Sequence, residues 1–126
     1  MFSRKAGDAS WPETRRVNAI FAVSRSRYVN VLVCATSIAR SRGLLFRNVS
    51  EQALLWLCAS VHSIGMGHAI DVIYLSAHGV VVKIVRELVP WRMSVGGREA
   101  FAVLEVRAGS SADVQMGERV SFEGHE

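Results

Sequence analysis

Two neighbouring runs of β-branched residues constrain the fold of this chain more than any other feature. They read AIDVIYL at 69–75 and VVVKIVREL at 80–88. Strict alternation divides the first run into two faces, formed by Ile70, Val72 and Tyr74 and by Asp71, Ile73 and Leu75. The turn Ala77-His78-Gly79 between the runs supplies a glycine where the chain has to reverse, so the two runs predict a β-hairpin.

Shorter runs predict the rest of the fold. The predicted strands are YVNVLVCAT (28–36), FAVLEVRAG (101–109) and ERVSF (118–122). The apolar run ALLWLCAS (53–60) has the length of a strand, but its periodicity leaves a short helix open. Short helices are predicted from Ser37 to Gly43 and from Ser110 or Ser111 to Gly117. The sequence therefore predicts a strand-rich α+β fold, with a twisted antiparallel sheet or small open β-barrel and one or two short helices.

The basic charge is concentrated near the beginning of the chain. Residues 1–50 contain nine Lys and Arg against two acids, whereas residues 51–126 contain six against nine. We predict a basic, poorly ordered extension at 1–27, a single globular domain at 28–122 and a tail at 123–126. In the open alternative, the extension is upstream sequence that was included because the start codon was assigned wrongly. No run of Lys or Arg exceeds two residues, which argues against nucleic acid as a partner.

The apolar stretch at 17–23 raises the question of targeting. It is too short to span a bilayer or to act as a secretory signal, so we predict no transmembrane segment. Asn18 also follows the twin arginine where an export signal requires an apolar residue. Cys34 and Cys58 lie in apolar runs, as is typical of thiols in a reducing compartment. The pattern favours a cytoplasmic protein over an exported one.

Cysteine and histidine raise the question of a metal site. Cys58 and His62 are spaced like half of a ligand set, and Cys34, His68 and His78 are further potential donors. Zinc sites in proteins need a second closely spaced pair or a third convergent ligand, and the sequence offers neither. We therefore predict no metal, and no motif indicates another cofactor.

His62, Asp71 and Glu105 are the residues that could support acid–base catalysis. If the strands that carry the two carboxylates pair, the three side chains could meet at one end of the sheet, where burial and like charge shift pKa values. This reading predicts a hydrolase-like enzyme. In the structural alternative, Asp71 accepts hydrogen bonds from loop amides and Glu105 pairs with Arg92 or Arg107.

The loop PWRMSVGGRE carries a different kind of candidate. Trp91 and Arg92 stand beside two glycines, and an exposed aromatic next to a guanidinium is over-represented in binding surfaces. The alternative is that Trp91 folds back and closes the open end of the barrel. Both interpretations are compatible with the sequence.

Several blocks of the chain resemble a known family in their order and spacing. The blocks are GLLFR (43–47), CASVHSIGM (58–66), IDVIYLSAHGVVVKI (70–84), VPWR (89–92), AVLEVRAG (102–109) and Gly117 with the strand after it. Together they resemble the bacterial and archaeal domain-of-unknown-function family 192 over about residues 28–122. The resemblance implies a compact β-rich domain with no established reaction, found alone or beside secretion and envelope components. His68 and His78 depart from the family pattern in turns.

Pattern and resemblance together favour a binding or accessory module for a protein partner or a small ligand. The acid–base enzyme is the alternative. The candidate functional cluster consists of His62, Asp71, Trp91, Arg92 and Glu105. The 61–71 loop, the PWR loop and the strand of Glu105 contribute these residues.

Overall fold

The computed structural model describes residues 11–12, 16–34, 53–62 and 67–124, with His62 described by its backbone alone. These residues form nine β-strands. The strands are β1 (Arg16–Phe21), β2 (Arg27–Cys34), β3 (Leu54–Trp56), β4 (Ser60–His62), β5 (Ile70–Leu75), β6 (Val81–Leu88), β7 (Met93–Val95), β8 (Ala102–Arg107) and β9 (Val120–Gly124).

Seven of the strands form one curled sheet in the order β6-β5-β8-β3-β2-β1-β9. Neighbours are antiparallel except for β2 and β3, which are parallel, so the sheet is mixed. The curl brings the two sheet edges towards each other, because Val80 forms an isolated bridge with Arg119 and the Gly117 N–H donates to the Val81 carbonyl at 2.8 Å. The result is a half-barrel. β4 and β7 form a separate two-stranded ribbon.

The predicted α+β class is wrong, because the described residues contain strands and turns but no helix. Separate turns replace the helical turn predicted from Ser110 or Ser111 to Gly117. The Ser111 N–H and hydroxyl both donate to the Asp71 carboxylate, at 3.2 and 2.6 Å, so the side chain of Ser111 is directed towards Asp71. The helix predicted from Ser37 to Gly43 lies outside the described residues. In the described part of the chain, no helix has the length and apolar character needed to cross a membrane.

The predicted hairpin is confirmed, since β5 and β6 pair antiparallel. The strand predictions for β2, β8 and β9 are also confirmed within a few residues at their ends. The ambiguous run at 53–60 forms strand β3, pairing with β2 on one side and with β8 on the other. A helix at this position would leave a gap in the middle of the sheet.

The sheet also includes residues on both sides of the predicted domain. β1 lies within the segment 1–27, and its side chains of Val17, Ala19 and Phe21 are fully buried. At the other end, β9 continues to Gly124. Buried Val17, Ala19 and Phe21 alternate with partly exposed residues along β1, as in a half-buried strand, but apolar Ile20 and the flanking arginines obscure this pattern in the sequence.

Each face of the sheet carries its own apolar cluster. The first face includes Val17, Phe21, Val31, Leu55, Ile73, Leu75 and Leu104. The second face includes Leu54, Trp56, Val61, Ile70, Val72, Tyr74 and Val103. Because Val61 of the ribbon belongs to the second cluster, the ribbon packs on the second face.

Candidate functional site

Asp71 is a fully buried acceptor on the first face. Its Oδ1 accepts the Glu87 N–H at 2.9 Å, and its Oδ2 accepts the Gly109 N–H at 3.0 Å. Oδ2 also accepts the Ser111 N–H at 3.2 Å and the Ser111 hydroxyl at 2.6 Å. Acceptance of backbone hydrogen bonds is what the structural alternative describes, and the amides of the described residues that bind Asp71 belong to β6 and to the turn after β8. The carboxylate ties three parts of the sheet together.

Glu105 is fully buried on the opposite face. Its neighbours across the sheet are Leu54 on β3 and Val72 on β5, so the carboxylate lies in the middle of an apolar surface. Glu105 acts electrostatically on Tyr74. Burial raises the pKa of the Tyr74 hydroxyl, the hydrogen bond with Ser94 opposes this increase, and the influence of Cys58 and Glu105 adds to it.

The register of β5 and β8 keeps the two carboxylates apart. Asp71 lies opposite Val106, and Val72 lies opposite Glu105. Successive residues of a strand point to opposite faces, so Asp71 and Glu105 lie on different sides of the sheet even though their strands pair. The backbone of His62 lies in β4, opposite Met93. The structure therefore does not bring the two carboxylates of the acid–base hypothesis into one site.

The metal donors considered in the sequence are also dispersed. Cys34 and Cys58 are not joined in a disulfide, and Cys58 Sγ donates to the Ser60 carbonyl at 3.2 Å. His68 precedes β5, whereas His78 is exposed in the turn that follows it. Within the described ranges, no group of three or more His, Cys, Asp or Glu side chains could hold a metal ion.

Tyr74 fixes the ribbon to the sheet. Its hydroxyl donates to Ser94 Oγ at 3.0 Å, and Ser94 is the buried residue of β7. The ring packs so closely on Gly96 that a Cβ there would lie 2.7 Å from Tyr74 Cε1. Lys83 Nζ donates to the Val95 carbonyl at 2.6 Å and lies 6.0 Å from the centre of the Tyr74 ring. With Ser94 facing inwards, Met93 and Val95 face solvent.

Four exposed apolar side chains occur at every second position of the sequence here, two in the segment before β7 and two on β7 itself, and we call this set the 89–95 stripe. Their exposed fractions are 46% for Val89, 67% for Trp91, 71% for Met93 and 56% for Val95. Trp91 therefore does not fold back to close the half-barrel, and Arg92 beside it is exposed as well. Of the predicted site residues, Trp91 and Arg92 lie together, next to the ribbon that contains His62.

The backbone of Trp91 is unusual. Trp91 follows Pro90 in a turn and has φ +67°, in the left-handed region that favours glycine and asparagine. For a large L side chain this conformation costs about 1–2 kcal/mol. The chain therefore holds its exposed tryptophan in a strained position.

One buried carboxylate was missed by sequence reasoning. Glu118 accepts the N–H groups of Val23 and Ser24 at 2.8 Å and that of Gln115 at 2.7 Å. Burial alone raises the pKa of Glu118, but these hydrogen bonds outweigh burial and hold the pKa below its usual value. The only signal in the sequence is an acid directly before a short apolar strand, which is too common to identify such a role.

The described residues define a small β-sheet protein, in which buried carboxylates tie a half-barrel together and a two-stranded ribbon packs on one face. The chain belongs to the family DUF192, described as Uncharacterized ACR, whose model matches residues 19–122. This match confirms the resemblance seen in the sequence.

Two solved structures share the fold. One is a protein of unknown function from Novosphingobium aromaticivorans DSM 12444, with 21% identity, a TM-score of 0.71 and coverage of 96% of this chain and 99% of that chain. The other is described as a "putative transcription regulator" from Sinorhizobium meliloti 1021, with 19% identity, a TM-score of 0.71 and coverage of 85% and 92%. At these identities the likeness shows the fold alone. No curated protein matches this chain.

Proposed function

We propose that this protein is a binding or accessory module that recognises a protein partner through the 89–95 stripe. One observation carries the proposal. Trp91 is both exposed and held at a strained φ of +67°, in a segment with three further exposed apolar side chains. Strained backbone is concentrated at functional sites, because the surrounding structure has to stabilise it.

The composition of the stripe supports this function. Single exposed apolar residues are ordinary on protein surfaces, but four within seven residues are not. Tryptophan, methionine and arginine are enriched in protein interfaces, and tryptophan and arginine dominate binding hot spots. Trp91, Arg92 and Met93 supply all three residue types in succession.

The attachment of the ribbon supports it as well. Ser94, Gly96 and the Val95 carbonyl are fixed by Tyr74 and Lys83, so the exposed side chains project from an ordered platform. A surface ordered before binding loses less conformational entropy on association than a flexible loop does. Cys34 and Cys58 form no disulfide, which is consistent with a reducing compartment, and we include a cytoplasmic location in the proposal.

The test compares Trp91→Gly with Val23→Ser, a change at another exposed apolar residue in the β1–β2 turn. A partner captured from an extract of the source cells would be identified, purified and titrated by calorimetry against the three proteins. We expect Trp91→Gly to weaken binding at least about tenfold, the effect of losing a hot-spot residue, and Val23→Ser to bind like wild type. Equal affinity of wild type and Trp91→Gly would refute the proposal.

A further inference from the structure

The outer edge of β7 has backbone groups that the ribbon does not use. We propose that this edge receives an extended, acidic segment of a protein partner by β-strand addition. The proposal rests on the proposed function, since it names the class of partner that the ribbon would bind. Strand addition combines ladder hydrogen bonds with side-chain contacts at alternate positions.

The register of the ribbon shows which groups point outwards. The Gly96 N–H donates to the Ala59 carbonyl at 2.7 Å, directly beyond the pair of Ser60 and Val95. Hydrogen-bonded and non-hydrogen-bonded pairs alternate along an antiparallel ladder. The next bonded pair is therefore Val61 with Ser94, and the N–H and C=O groups of Met93 and Val95 point away from β4.

Two side-chain hydrogen bonds agree with this assignment. Lys83 Nζ reaches the outward carbonyl of Val95, and Cys58 Sγ reaches the outward carbonyl of Ser60 on the other edge of the ribbon. At Met93, both the N–H and the C=O remain directed towards the outer edge. Among the described strands, β7 has β4 as its one ladder neighbour. A partner strand could therefore form a complete bonded pair with Met93 and a further bond with the Val95 N–H.

The side chains indicate what the added strand would carry. Met93 and Val95 are exposed on the same face of the ribbon, and Trp91 lies just before them. A strand added beside β7 would place every second side chain next to Met93 and Val95. Apolar residues at alternate positions of the partner would match this face.

The charge of the surface favours an acidic partner. Arg92 precedes β7, Arg98 follows it, and both are exposed. Lys83 lies at the outer edge of β7. The exposed acids near these three cations in the sequence are Glu87 and Glu99. In the described residues all nine Lys and Arg side chains are at least partly exposed, whereas three of the seven acids are buried. The buried acids are Asp71, Glu105 and Glu118. The surface is therefore more basic than the composition indicates.

The experiment uses a fluorescein-labelled octapeptide of alternating aspartate and valine, titrated with the full chain and followed by fluorescence anisotropy. We expect saturable binding that weakens with added salt. Two matched peptides are included: one N-methylated at alternate amides, which cannot complete a ladder, and one with lysine in place of aspartate. Both should bind at least about tenfold more weakly.

Two variants of the protein test the edge itself. Met93→Pro removes the outward N–H but no hydrogen bond of the β4–β7 ladder, so the ribbon should persist and peptide binding should fall at least about tenfold. Met93→Thr keeps the backbone donor and is the control for the side chain. Thermal unfolding of both variants establishes that they are folded. Because Trp91→Gly tests the stripe separately, a failure of strand addition can be distinguished from a failure of the proposed function.

The other outcomes overturn the inference. Equal binding of the N-methylated peptide, or unchanged binding by Met93→Pro, would exclude strand addition. Equal binding of the lysine peptide would exclude an acidic partner. A dimer that Met93→Pro dissociates would assign the edge to a second copy of the chain. Binding to phosphatidylserine vesicles that is lost in Trp91→Gly and kept in Met93→Pro would assign the stripe to a lipid surface. If the acidic peptide does not bind at millimolar concentration, the inference is also rejected.

Discussion

At the scale of single residues, Trp91 and Gly96 show how the sequence shapes the ribbon. Trp91 occupies a left-handed position that glycine would occupy without strain, whereas Gly96 occupies a position where no side chain fits. Paired glycines at 96 and 97 suggest mobility in a sequence. The structure gives Gly96 a packing role under the Tyr74 ring and gives Gly97 a φ of +98°.

The strain at Trp91 can be measured by comparing two truncations. Trp91→Gly and Trp91→Ala both remove the indole, but alanine keeps a Cβ in the left-handed region. We expect the glycine variant to be more stable than the alanine variant by about 1 kcal/mol, the reverse of the usual order of the two residues. Urea unfolding followed by circular dichroism measures the difference. An alanine variant of equal or greater stability would show that the position is unstrained.

The packing of Tyr74 on Gly96 predicts a large effect of one methyl group. A Cβ at residue 96 would lie 2.6 Å from Ala100 Cβ and 2.7 Å from Tyr74 Cε1. Gly96→Ala should therefore lower the free energy of unfolding by about 1–3 kcal/mol, as overpacking does. Gly67→Ala is the matched control, because open space surrounds Gly67 and its change should stay within about 0.5 kcal/mol. Similar losses in the two variants would contradict the packing at Tyr74.

At the scale of strands, alternation predicted the two faces of β5 that its side chains occupy, and it predicted β8 as a strand. It could not predict the β-bulges, because a bulge adds a backbone residue without changing the composition. The register of β6 against β5 shifts at two bulges, the first between Val81 and Lys83 and the second between Val85 and Leu88. Glu87, in the second bulge, has φ +59°. As a result Ile84 packs on the first face while Val82 and Val85 pack on the second, so the side chains of β6 do not alternate simply between the two faces.

For the candidate site, too, the sequence predicted the strands that contain the residues but not how those strands pair. Alternation alone places Asp71 and Glu105 in apolar strands, but the register that sends them to opposite faces depends on the pairing of distant segments. The second bulge accounts for one hydrogen bond of Asp71, because Glu87 lies in this bulge and its N–H donates to Asp71 Oδ1. Exposure of Trp91 depends on where the ribbon packs, and no local pattern encodes that. The other support for the predicted cluster was the resemblance of its sequence blocks to the family.

Replacing Asp71 tests whether its role is to accept hydrogen bonds. In Asp71→Asn the amide NH2 would face either the N–H of Glu87 or the N–H groups of Gly109 and Ser111, so donors would meet donors in both orientations. We expect the free energy of unfolding to fall by about 2–4 kcal/mol, from buried donors left without acceptors. Asp113→Asn, at an exposed position, should change it by less than about 0.5 kcal/mol. Chemical denaturation checks both, and an unaffected Asp71→Asn would remove the structural role.

At the scale of the molecule, the segment before β9 joins the two edges of the sheet. Glu118 binds the β1–β2 turn through the N–H groups of Val23 and Ser24, and its carbonyl accepts the Val81 N–H at 2.9 Å. One residue therefore links the first hairpin to the beginning of β6. The curvature of the half-barrel depends on this link.

The lowered pKa of Glu118 predicts how stability depends on pH. A carboxyl group whose folded pKa lies below its unfolded value, about 4.5, stabilises the fold above that value and loses its contribution as pH falls through the folded pKa. Glu118→Gln should lower stability by about 1–3 kcal/mol at pH 7, and its difference from wild type should shrink in acid. Unfolding by urea across the acid range measures this. A difference that stays constant with pH would reject the assignment, and Glu123→Gln, at an exposed residue of β9, is the control.

The pairing of β1 with β9 sets an order for events at the ribosome. β1 is the first strand of the sheet to be synthesised and β9 is the last, yet they are neighbours, with Val17 opposite Gly124 and Phe21 opposite Val120. One edge of β1 therefore stays without its partner until β9 has been synthesised. During that interval the nascent chain exposes a strand edge and the apolar side chains of Val17 and Phe21, a state that favours association with other chains. The sheet can be completed only after its last strand has left the ribosome.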